Sequence, residues 1–263
     1  MNLELLTKQV ANLSRAIGNY LKTELKNIQS SHIESKGTND FVTYVDKSAE
    51  DKLVSELKKL LPEAGFIVEE NKEHLTRERY NWIVDPLDGT TNFIHGAPPF
   101  SISIALKENN KIISGVIYEV NLNECFYAWT GGGAFLNGHT ISTSQTKDIS
   151  GSLIATGFPY SDFSRLDAYM EVFQHLMKNS HGIRRLGSAA VDMAYVACGR
   201  YDAFYEYGLS SWDIAAGTII VSEAGGNVSD FSGQDEYIFG KEMIATNKMV
   251  FNEFLELVKS KFN

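Results

Sequence analysis

The chain has 263 residues, of which 43% are hydrophobic and 11% aromatic, enough apolar material for one large domain or two of moderate size. This composition excludes disordered, collagen-like and low-complexity proteins. The formal net charge of −9 argues against a general binder of nucleic acids or anionic membranes, because such partners require a basic face.

Three further absences narrow the class of protein. Cys125 and Cys198 show no CxxC spacing, so we expect buried packing residues in a reduced, cytoplasmic protein rather than a zinc site. The N-terminal segment carries charges throughout and lacks the apolar core of a signal peptide. No apolar run approaches the about 18 residues needed to cross a bilayer, so we expect no membrane partner.

The first predicted elements are two amphipathic helices. Apolar residues spaced three and four apart predict a long helix with the stripe Leu3, Leu6, Val10, Leu13, Ile17, Leu21, Leu25 and Ile28. The polar segment 30–39 would end this helix. A second helix is predicted over 46–61, with Ser48 as its N-cap and Pro62 beyond its end.

Short strand-like runs follow the two helices. They are the segments 66–68, 82–84, 100–106, 111–118 and 124–129. The segment 100–106 alternates apolar residues with serine, and Asn109-Asn110 marks a turn after it. These runs predict a mostly antiparallel sheet, backed by the two leading helices.

Strand-like and helical patterns alternate after about residue 145. The predicted helices are 166–177, 188–197, 212–224 and 250–262, and the predicted strands are 152–156, 183–186, 203–205, 228–231 and 243–245. Such alternation is typical of an α/β layer structure. We therefore expect two halves, residues 1–145 and residues 146–263, that share an extensive interface because no Pro/Gly linker separates them.

The string VDPLDGTTN at 84–92 carries the most chemical information. Asp85 and Asp88 lie three apart after an apolar strand, with Pro86 and Gly89 shaping a turn. Two ionised carboxylates repel each other unless a cation lies between them, and Mg²⁺ prefers oxygen ligands. A helix beginning after the acids would offer free N–H groups to a phosphate. The competing interpretation is plain turn chemistry with Asp88 as a helix cap.

Other acids have similar double interpretations. Glu69 and Glu70 follow an apolar strand, where α/β sites usually lie, although a solvated loop is the commoner explanation. Asp213 follows Trp212 at a predicted helix start, which favours capping beside a core tryptophan. Asp46 likewise resembles a cap. The sequence has no histidine pair at metal-ligand spacing, no GxSxG and no GxxxxGK[ST], which argues against serine hydrolase and P-loop chemistry.

Taken in order, four segments resemble the inositol monophosphatase family of Mg²⁺-dependent, Li⁺-sensitive sugar phosphatases. They are DFVTYVD at 40–46, EE at 69–70, VDPLDGTTNF at 84–93 and WDIAAG at 212–217, and the resemblance covers nearly the whole chain. It implies an α/β fold, an αβαβα layered sandwich, and usually a homodimer. It also implies a phosphomonoesterase that hydrolyses inositol monophosphate or a related small sugar phosphate with metal-activated water.

The resemblance further implies a role for each matched residue. A first Mg²⁺ would be held by Glu69, Asp85 and the carbonyl of Leu87, and a second by Asp85, Asp88 and Asp213. A third, weaker ion would lie near Glu69. Thr90 and Asp46 would orient the attacking water. The resemblance implies that Glu69, Thr90 and Asp46 are the catalytic residues. Substrate would contact the backbone N–H groups of Gly89 and Thr90, and also Ser188, Ala189 and Glu206.

Two positions depart from the family pattern. Lys36 is the match for a basic residue near the phosphate, in a segment one residue shorter than the usual form. Ser210 and Ser211 stand where the family often carries a histidine, which concerns sugar specificity rather than the chemistry.

Alternative functions come from two classes. Within the superfamily, the substrate could be fructose 1,6-bisphosphate or the 2′-phosphate of NADP. A 3′-phosphoadenosine phosphatase is disfavoured, because Thr91-Asn92-Phe93 stands where that branch has Lys-Glu-Phe. The other class is a non-catalytic regulator that binds RNA or a transcription partner. The intact set of acids and the negative charge argue against that as the only function, so we expect no nucleic-acid partner.

Overall fold

The structure, a computed structural model, describes residues 1–28, 33–37, 40–71, 75–159 and 162–262. Within these residues the chain forms eight α-helices and fourteen β-strands. The helices are α1 Leu3–Glu24, α2 Tyr44–Leu60, α3 Thr90–Ile94, α4 Leu166–Asn179, α5 Ala189–Ala197, α6 Ser211–Glu223, α7 Tyr237–Gly240 and α8 Phe251–Phe262. The strands are β1 Ile33–Gly37, β2 Asp40–Thr43, β3 Gly65–Val68, β4 Tyr80–Asp88, β5 Ser101–Glu108, β6 Lys111–Glu119, β7 Glu124–Trp129, β8 Gly133–Leu136, β9 His139–Ile141, β10 Leu153–Thr156, β11 Gly182–Arg184, β12 Ala203–Tyr207, β13 Asn227–Ser229 and β14 Glu242–Thr246.

These elements stack in five layers. Helices α1 and α2 cover one face of a seven-stranded sheet of order β3-β4-β5-β6-β7-β8-β9, and α5 and α6 cover its other face. The same two helices pack on a five-stranded sheet of order β11-β10-β12-β14-β13, while α4 and α8 pack on its far side. Each helix layer buries an apolar face against a sheet, which gives three apolar cores between five layers. The expected αβαβα sandwich is confirmed.

The seven-stranded sheet has the predicted character. Among its described strands, β3 and β4 form a parallel pair and every other neighbouring pair is antiparallel. The five-stranded sheet is mixed, with β10 parallel to β11 and β12. Helices α5 and α6 follow residue 145, but they pack on the seven-stranded sheet, which precedes it, as well as on the five-stranded sheet. The parts of the chain before and after residue 145 are therefore in contact through these two helices. The division into two halves stays a prediction.

The two leading helices differ in detail from their predicted bounds. Helix α1 ends at Glu24, and residues 25–28 form a turn that still packs Leu25 and Ile28 on the core, so the apolar stripe continues past the helix. Helix α2 begins at Tyr44, and its cap is Thr43 rather than the predicted Ser48.

The cap of α2 explains its early start. The Thr43 hydroxyl accepts the Val45 N–H at 3.0 Å, and Asp46 Oδ2 accepts the Thr43 N–H at 2.9 Å. This reciprocal pair satisfies amides of the first turn that would otherwise lack partners. The elements β1, β9 and α7 have no counterpart among the predicted segments.

Two expectations from the sequence concern the two cysteines and the apolar length of the helices. Cys125 is buried as expected, whereas Cys198 is half-buried, and both are free thiols. No helix in the described part of the chain is long and apolar enough to cross a membrane.

Candidate active site

Strand β4 carries both aspartates of the VDPLDG string, with a bulge between them. Asp85 lies opposite Ser103 of β5 and Asp88 lies opposite Ser101, so three steps on β4 face two steps on β5. Residues three apart on a regular strand point to opposite faces, and the extra residue returns them to one side. Pro86 suits a bulge because it has no N–H to donate to the ladder. The turn therefore lies at Gly89, after both aspartates, because the strand continues to Asp88.

Asp88 does not cap the following helix. Gly89 occupies the N-cap position of α3 with φ +93°, a left-handed conformation that glycine adopts without strain. Asp88 Oδ2 instead accepts the Ser188 hydroxyl at 2.5 Å and the Ala190 N–H at 2.9 Å. The start of α5 therefore holds this carboxylate from across the cleft.

Asp213 brings a third carboxylate from the first turn of α6. Its Oδ2 accepts the Ser210 N–H at 2.6 Å, so the residue caps the helix as the simpler interpretation expects. One oxygen from each of Asp85, Asp88 and Asp213 also lies within 4.8 Å of the others. The residue thus caps α6 and belongs to the acidic cluster. Its neighbour Trp212 is half-buried and lines the cleft, so the expected core position is only partly correct.

The acidic cluster lies in a cleft of about 430 Å³. Glu69, directly after β3, lines the same cleft, so its segment is not a merely solvated loop. The other predicted site residues that line it are Asp85, Leu87, Asp88, Gly89, Thr90, Ser188, Ala189, Glu206 and Asp213. The fold therefore brings together residues from five separate segments of the chain.

Asp46 is the predicted site residue that does not line this cleft in the described part of the chain. It is fully buried, and its Oδ1 accepts the Thr90 hydroxyl at 3.1 Å. The same hydroxyl lies 3.1 Å from the carbonyl oxygen of Leu87. Asp46 also belongs to the capping box of α2, so it joins the start of α2 to the start of α3. Its contact with the cleft lining is through Thr90.

Burial dominates the electrostatics of the cluster. Burial, followed by the charges of Glu69, Asp88 and Asp213, raises the pKa of Asp85 well above its usual range. Burial also raises the pKa of Asp88 to about 6, although the hydrogen bonds from Ser188 and Ala190 favour its ionised form. Carboxylates that are desolvated and close together hold their charges at a cost that a bound cation would remove.

The donor set fits a hard divalent cation. Three carboxylates converge, a fourth lies beside them, and the described residues that line the cleft include no histidine or cysteine. Oxygen-only sites suit Mg²⁺, Ca²⁺ or Mn²⁺ rather than softer metals. The cluster could therefore bind a metal ion.

Glu206, on β12, occupies the cleft wall against Gly157. A Cβ at residue 157 would overlap the Glu206 carboxylate, so glycine lets this carboxylate lie against the backbone in its present position. Burial, followed by the charge of Asp213, raises the pKa of Glu206 well above its usual range, while the Arg185 guanidinium opposes the rise. Glu206 is thus a buried acid with a cation nearby.

The sequence assigned no role to four charged residues that line the cleft: Asp162, Arg185, Asp192 and Lys241. Asp192 of α5 is 1% exposed, and its Oδ1 has no hydrogen-bond partner in the described residues. Its signal was a single charge inside the apolar run AAVDMAYVA. Arg185 and Lys241 add two positive charges to the cleft lining, and Asp162 adds a further acid in addition to Asp192, so these four residues leave its formal charge unchanged. Lys36 lies in β1, but its side chain is outside the described residues.

Known proteins resemble this chain over almost its whole length. The sequence matches the inositol monophosphatase family over residues 2–261. The chain belongs to this family. Within the family it is 41% identical to the Nus factor SuhB of Pseudomonas aeruginosa, over 94% of this chain and 93% of that protein. It is 39% identical to an inositol-1-monophosphatase of Mesorhizobium japonicum, over 92% of this chain and 91% of that protein.

Solved structures of the family share the whole fold. The extragenic suppressor protein suhB of Bartonella henselae matches with a TM-score of 0.89 at 39% identity, covering 95% of this chain and 96% of that one. The Thermotoga maritima IMPase matches with a TM-score of 0.87 at 38% identity, covering 96% of each chain. Relatives of this family thus carry both phosphatase and Nus factor names, so the activity has to be argued from the site.

Proposed function

We propose that this chain is a Mg²⁺-dependent phosphomonoesterase that hydrolyses inositol monophosphate or a related small sugar phosphate. The observation that carries the proposal is the convergence of Asp85, Asp88 and Asp213 within 4.8 Å, in a cleft that Glu69 also lines. Buried acids that raise one another's pKa in a cleft are typical of functional sites rather than of structural cores.

The metal ligands in this proposal are backbone and carboxylate oxygens. Glu69, Asp85 and the carbonyl of Leu87 would hold the first Mg²⁺, and Asp85, Asp88 and Asp213 would hold the second, with a third, weaker ion near Glu69. When bound, such ions supply an acidified water and neutralise charge on the phosphate and the leaving oxygen. The family membership and the oxygen-only donor set support this assignment.

The protein's own contribution to the attack is to orient water. The Thr90 hydroxyl hydrogen is directed to Asp46 Oδ1 or to the Leu87 carbonyl, both at 3.1 Å. The lone pairs of Thr90 Oγ1 are then available to accept a hydrogen bond from the attacking water. Glu69 accepts a hydrogen bond from the other hydrogen of this water. Asp46 holds Thr90 in this orientation, because its second oxygen is anchored by the backbone N–H and the hydroxyl of Thr43.

Substrate contacts are proposed for the walls of the same cleft. The backbone N–H groups of Gly89 and Thr90 take the phosphate, and Ser188, Ala189 and Glu206 take the sugar. Ser188 donates its hydroxyl hydrogen to Asp88 and accepts the Val191 N–H at 3.4 Å, so at most one lone pair of its oxygen remains for a sugar hydroxyl. The Glu206 carboxylate accepts hydrogen bonds from sugar hydroxyls, a preference that a buried acid enforces strongly.

A substrate panel tests the proposal. Purified protein is given inositol monophosphate, fructose 1,6-bisphosphate, NADP and a 3′-phosphoadenosine nucleotide, with Mg²⁺ or with excess chelator, and released phosphate is measured. We expect phosphate release from inositol monophosphate in the presence of Mg²⁺, and inhibition of this release by millimolar Li⁺. We expect no phosphate release in excess chelator. Activity on fructose 1,6-bisphosphate or NADP alone would favour the related phosphatases. Full activity in chelator would contradict a metal mechanism, and activity only on the 3′-nucleotide would contradict the substrate class.

Association is a second part of the proposal. We propose that the protein is a homodimer that binds neither nucleic acid nor membrane, in keeping with its formal charge of −9. Light scattering on protein eluted from a size-exclusion column measures the molar mass directly. A mass equal to one chain would contradict the dimer.

A regulatory role is the second candidate function. The observation that favours it is the name Nus factor SuhB, carried by relatives that are 41% and 40% identical to this chain. In this alternative the chain binds RNA or a transcription partner without catalysis. It predicts that no substrate of the panel releases phosphate, while an RNA or transcription protein shifts the chain in a binding assay. Turnover lost in Asp88→Asn would instead establish catalysis.

A further inference from the structure

Helix α2 carries a buried acid, Glu50, that the proposed mechanism does not use. Glu50 is only 4% exposed. Its Oε2 accepts the Glu70 N–H at 2.7 Å and its Oε1 accepts the Asn71 N–H at 2.9 Å. Because each carboxylate oxygen accepts one bond, the side chain fixes both the position and the tilt of two consecutive peptides.

These two peptides follow Glu69 directly. Strand β3 ends at Val68, so its pairing with β4 stops just before Glu69. The bonds to Glu50 then constrain the backbone on the C-terminal side of Glu69. The direction in which the Glu69 side chain enters the cleft depends on that backbone.

Glu50 lies one helical turn beyond Asp46 on α2, and residues four apart share a helix face. Asp46 holds Thr90, and Glu50 holds the segment after Glu69. One face of α2 therefore supports two separate segments of the cleft. Burial raises the pKa of Glu50 against the effect of its two amide bonds, so this acid is kept in the interior at a cost.

We propose that Glu50 is a positioning residue: by binding the Glu70 and Asn71 amides, it aims the Glu69 carboxylate and so sets the affinity of the site for its divalent cation. The inference rests on the proposed function, in which Glu69 is a metal ligand. It predicts that loss of the two bonds weakens Mg²⁺ binding more than it slows the reaction.

The chain offers a matched pair of variants. Glu50→Gln keeps the shape of the side chain, but its NH₂ group accepts nothing, so one of the two amide bonds is lost. Glu119 is also buried and accepts two consecutive amides, those of Asn121 at 3.0 Å and Leu122 at 2.5 Å. It does not line the cleft as the structure describes it. Glu119→Gln therefore removes an equivalent bond elsewhere.

Mg²⁺ binding is measured by calorimetry on metal-stripped protein, and the Mg²⁺ dependence of phosphate release is measured in parallel. We expect Glu50→Gln to raise the Mg²⁺ Kd and the half-saturating Mg²⁺ concentration by about tenfold, at the lower end for partners of metal ligands. Excess Mg²⁺ should restore most of kcat. Both variants should lower the melting temperature by similar amounts, because each loses one buried hydrogen bond. Glu119→Gln should nevertheless leave the Mg²⁺ Kd unchanged.

Each outcome has a defined meaning. An unchanged Kd in Glu50→Gln, or an equal rise in both variants, overturns the inference while the proposed function stands. A wild-type protein that binds no Mg²⁺ overturns both. Hydrogen exchange on wild-type protein gives a test that needs no folded variant: the amides of Glu70 and Asn71 should exchange slowly, and rapid exchange of both overturns the inference.

Discussion

Asp88→Asn should separate the stability of this protein from its activity. The buried Asp88 Oδ2 accepts hydrogen bonds from Ser188, from the Ala190 N–H and, at 3.4 Å, from Ser101. Asparagine keeps the shape, and its carbonyl oxygen accepts the same bonds without a charge. We expect phosphatase activity to fall to nearly zero, because a metal ligand is lost. The metal-free protein should nevertheless become more stable at neutral pH.

The size of the gain follows from the pKa of Asp88. Burial raises it from 3.8 to about 6 in the folded state, so the folded protein binds this proton more tightly than the unfolded chain does. The stability that the proton brings is complete below pH 3.8, and it is lost as the pH rises through about 6. At about 1.4 kcal/mol for each pKa unit, the ionised Asp88 costs the metal-free protein about 3 kcal/mol at neutral pH.

Urea unfolding in excess chelator measures this difference. Asp88→Asn should exceed wild type by up to about 3 kcal/mol at neutral pH, and the two should converge at about pH 4. Added Mg²⁺ should raise the melting temperature of wild type more than that of the variant, which lacks a ligand of the second ion but keeps the ligands of the first. A variant less stable than wild type in chelator at neutral pH would refute the burial argument. Normal turnover by the variant would refute Asp88 as a ligand.

Three other outcomes are expected. The rise in melting temperature caused by Mg²⁺ should shrink as the pH falls below about 6, because protons compete for Asp85 and Asp88, whose pKa values burial raises; a rise independent of pH in calorimetric scans would contradict this. Gly157→Ala should raise KM more than it lowers kcat in steady-state assays, since its Cβ displaces the Glu206 carboxylate, and an unchanged KM would remove Glu206 from the substrate site. Trp212→Ala should destabilise the protein by about 2 kcal/mol in urea unfolding, because the half-buried ring packs on the central core; unchanged stability would contradict that packing role.

Local periodicity was sufficient for most elements of the fold. The segment 188–197 was predicted as a helix, and α5 spans Ala189–Ala197 with Ser188 as its cap. The segment 124–129 was predicted as a strand, and β7 has the same bounds. Such agreement arises because burial of one face imposes a period on the residues of that element alone.

The bulge in β4 shows where local patterns stop. Pro86 and the spacing of Asp85 and Asp88 are compatible with a turn between the two aspartates and also with a bulged strand. From the sequence alone we predict the turn. The outcome depends on pairing with Ser101 and Ser103 of β5. The register between β4 and β5 is a property of the pair, so the residues of β4 alone do not show that a bulge separates the two aspartates.

The sequence by itself determined the family, the layered fold and the acids that belong to motifs, because these depend on residue identity, spacing and periodicity. Only the tertiary structure decided how those acids act together. Packing of α6 against the sheet brings Asp213 within 4.8 Å of Asp85 and Asp88, and the face of α2 brings Glu50 to the segment that follows Glu69. Such contacts join distant segments, so their geometry depends on how whole layers pack rather than on the residues beside them.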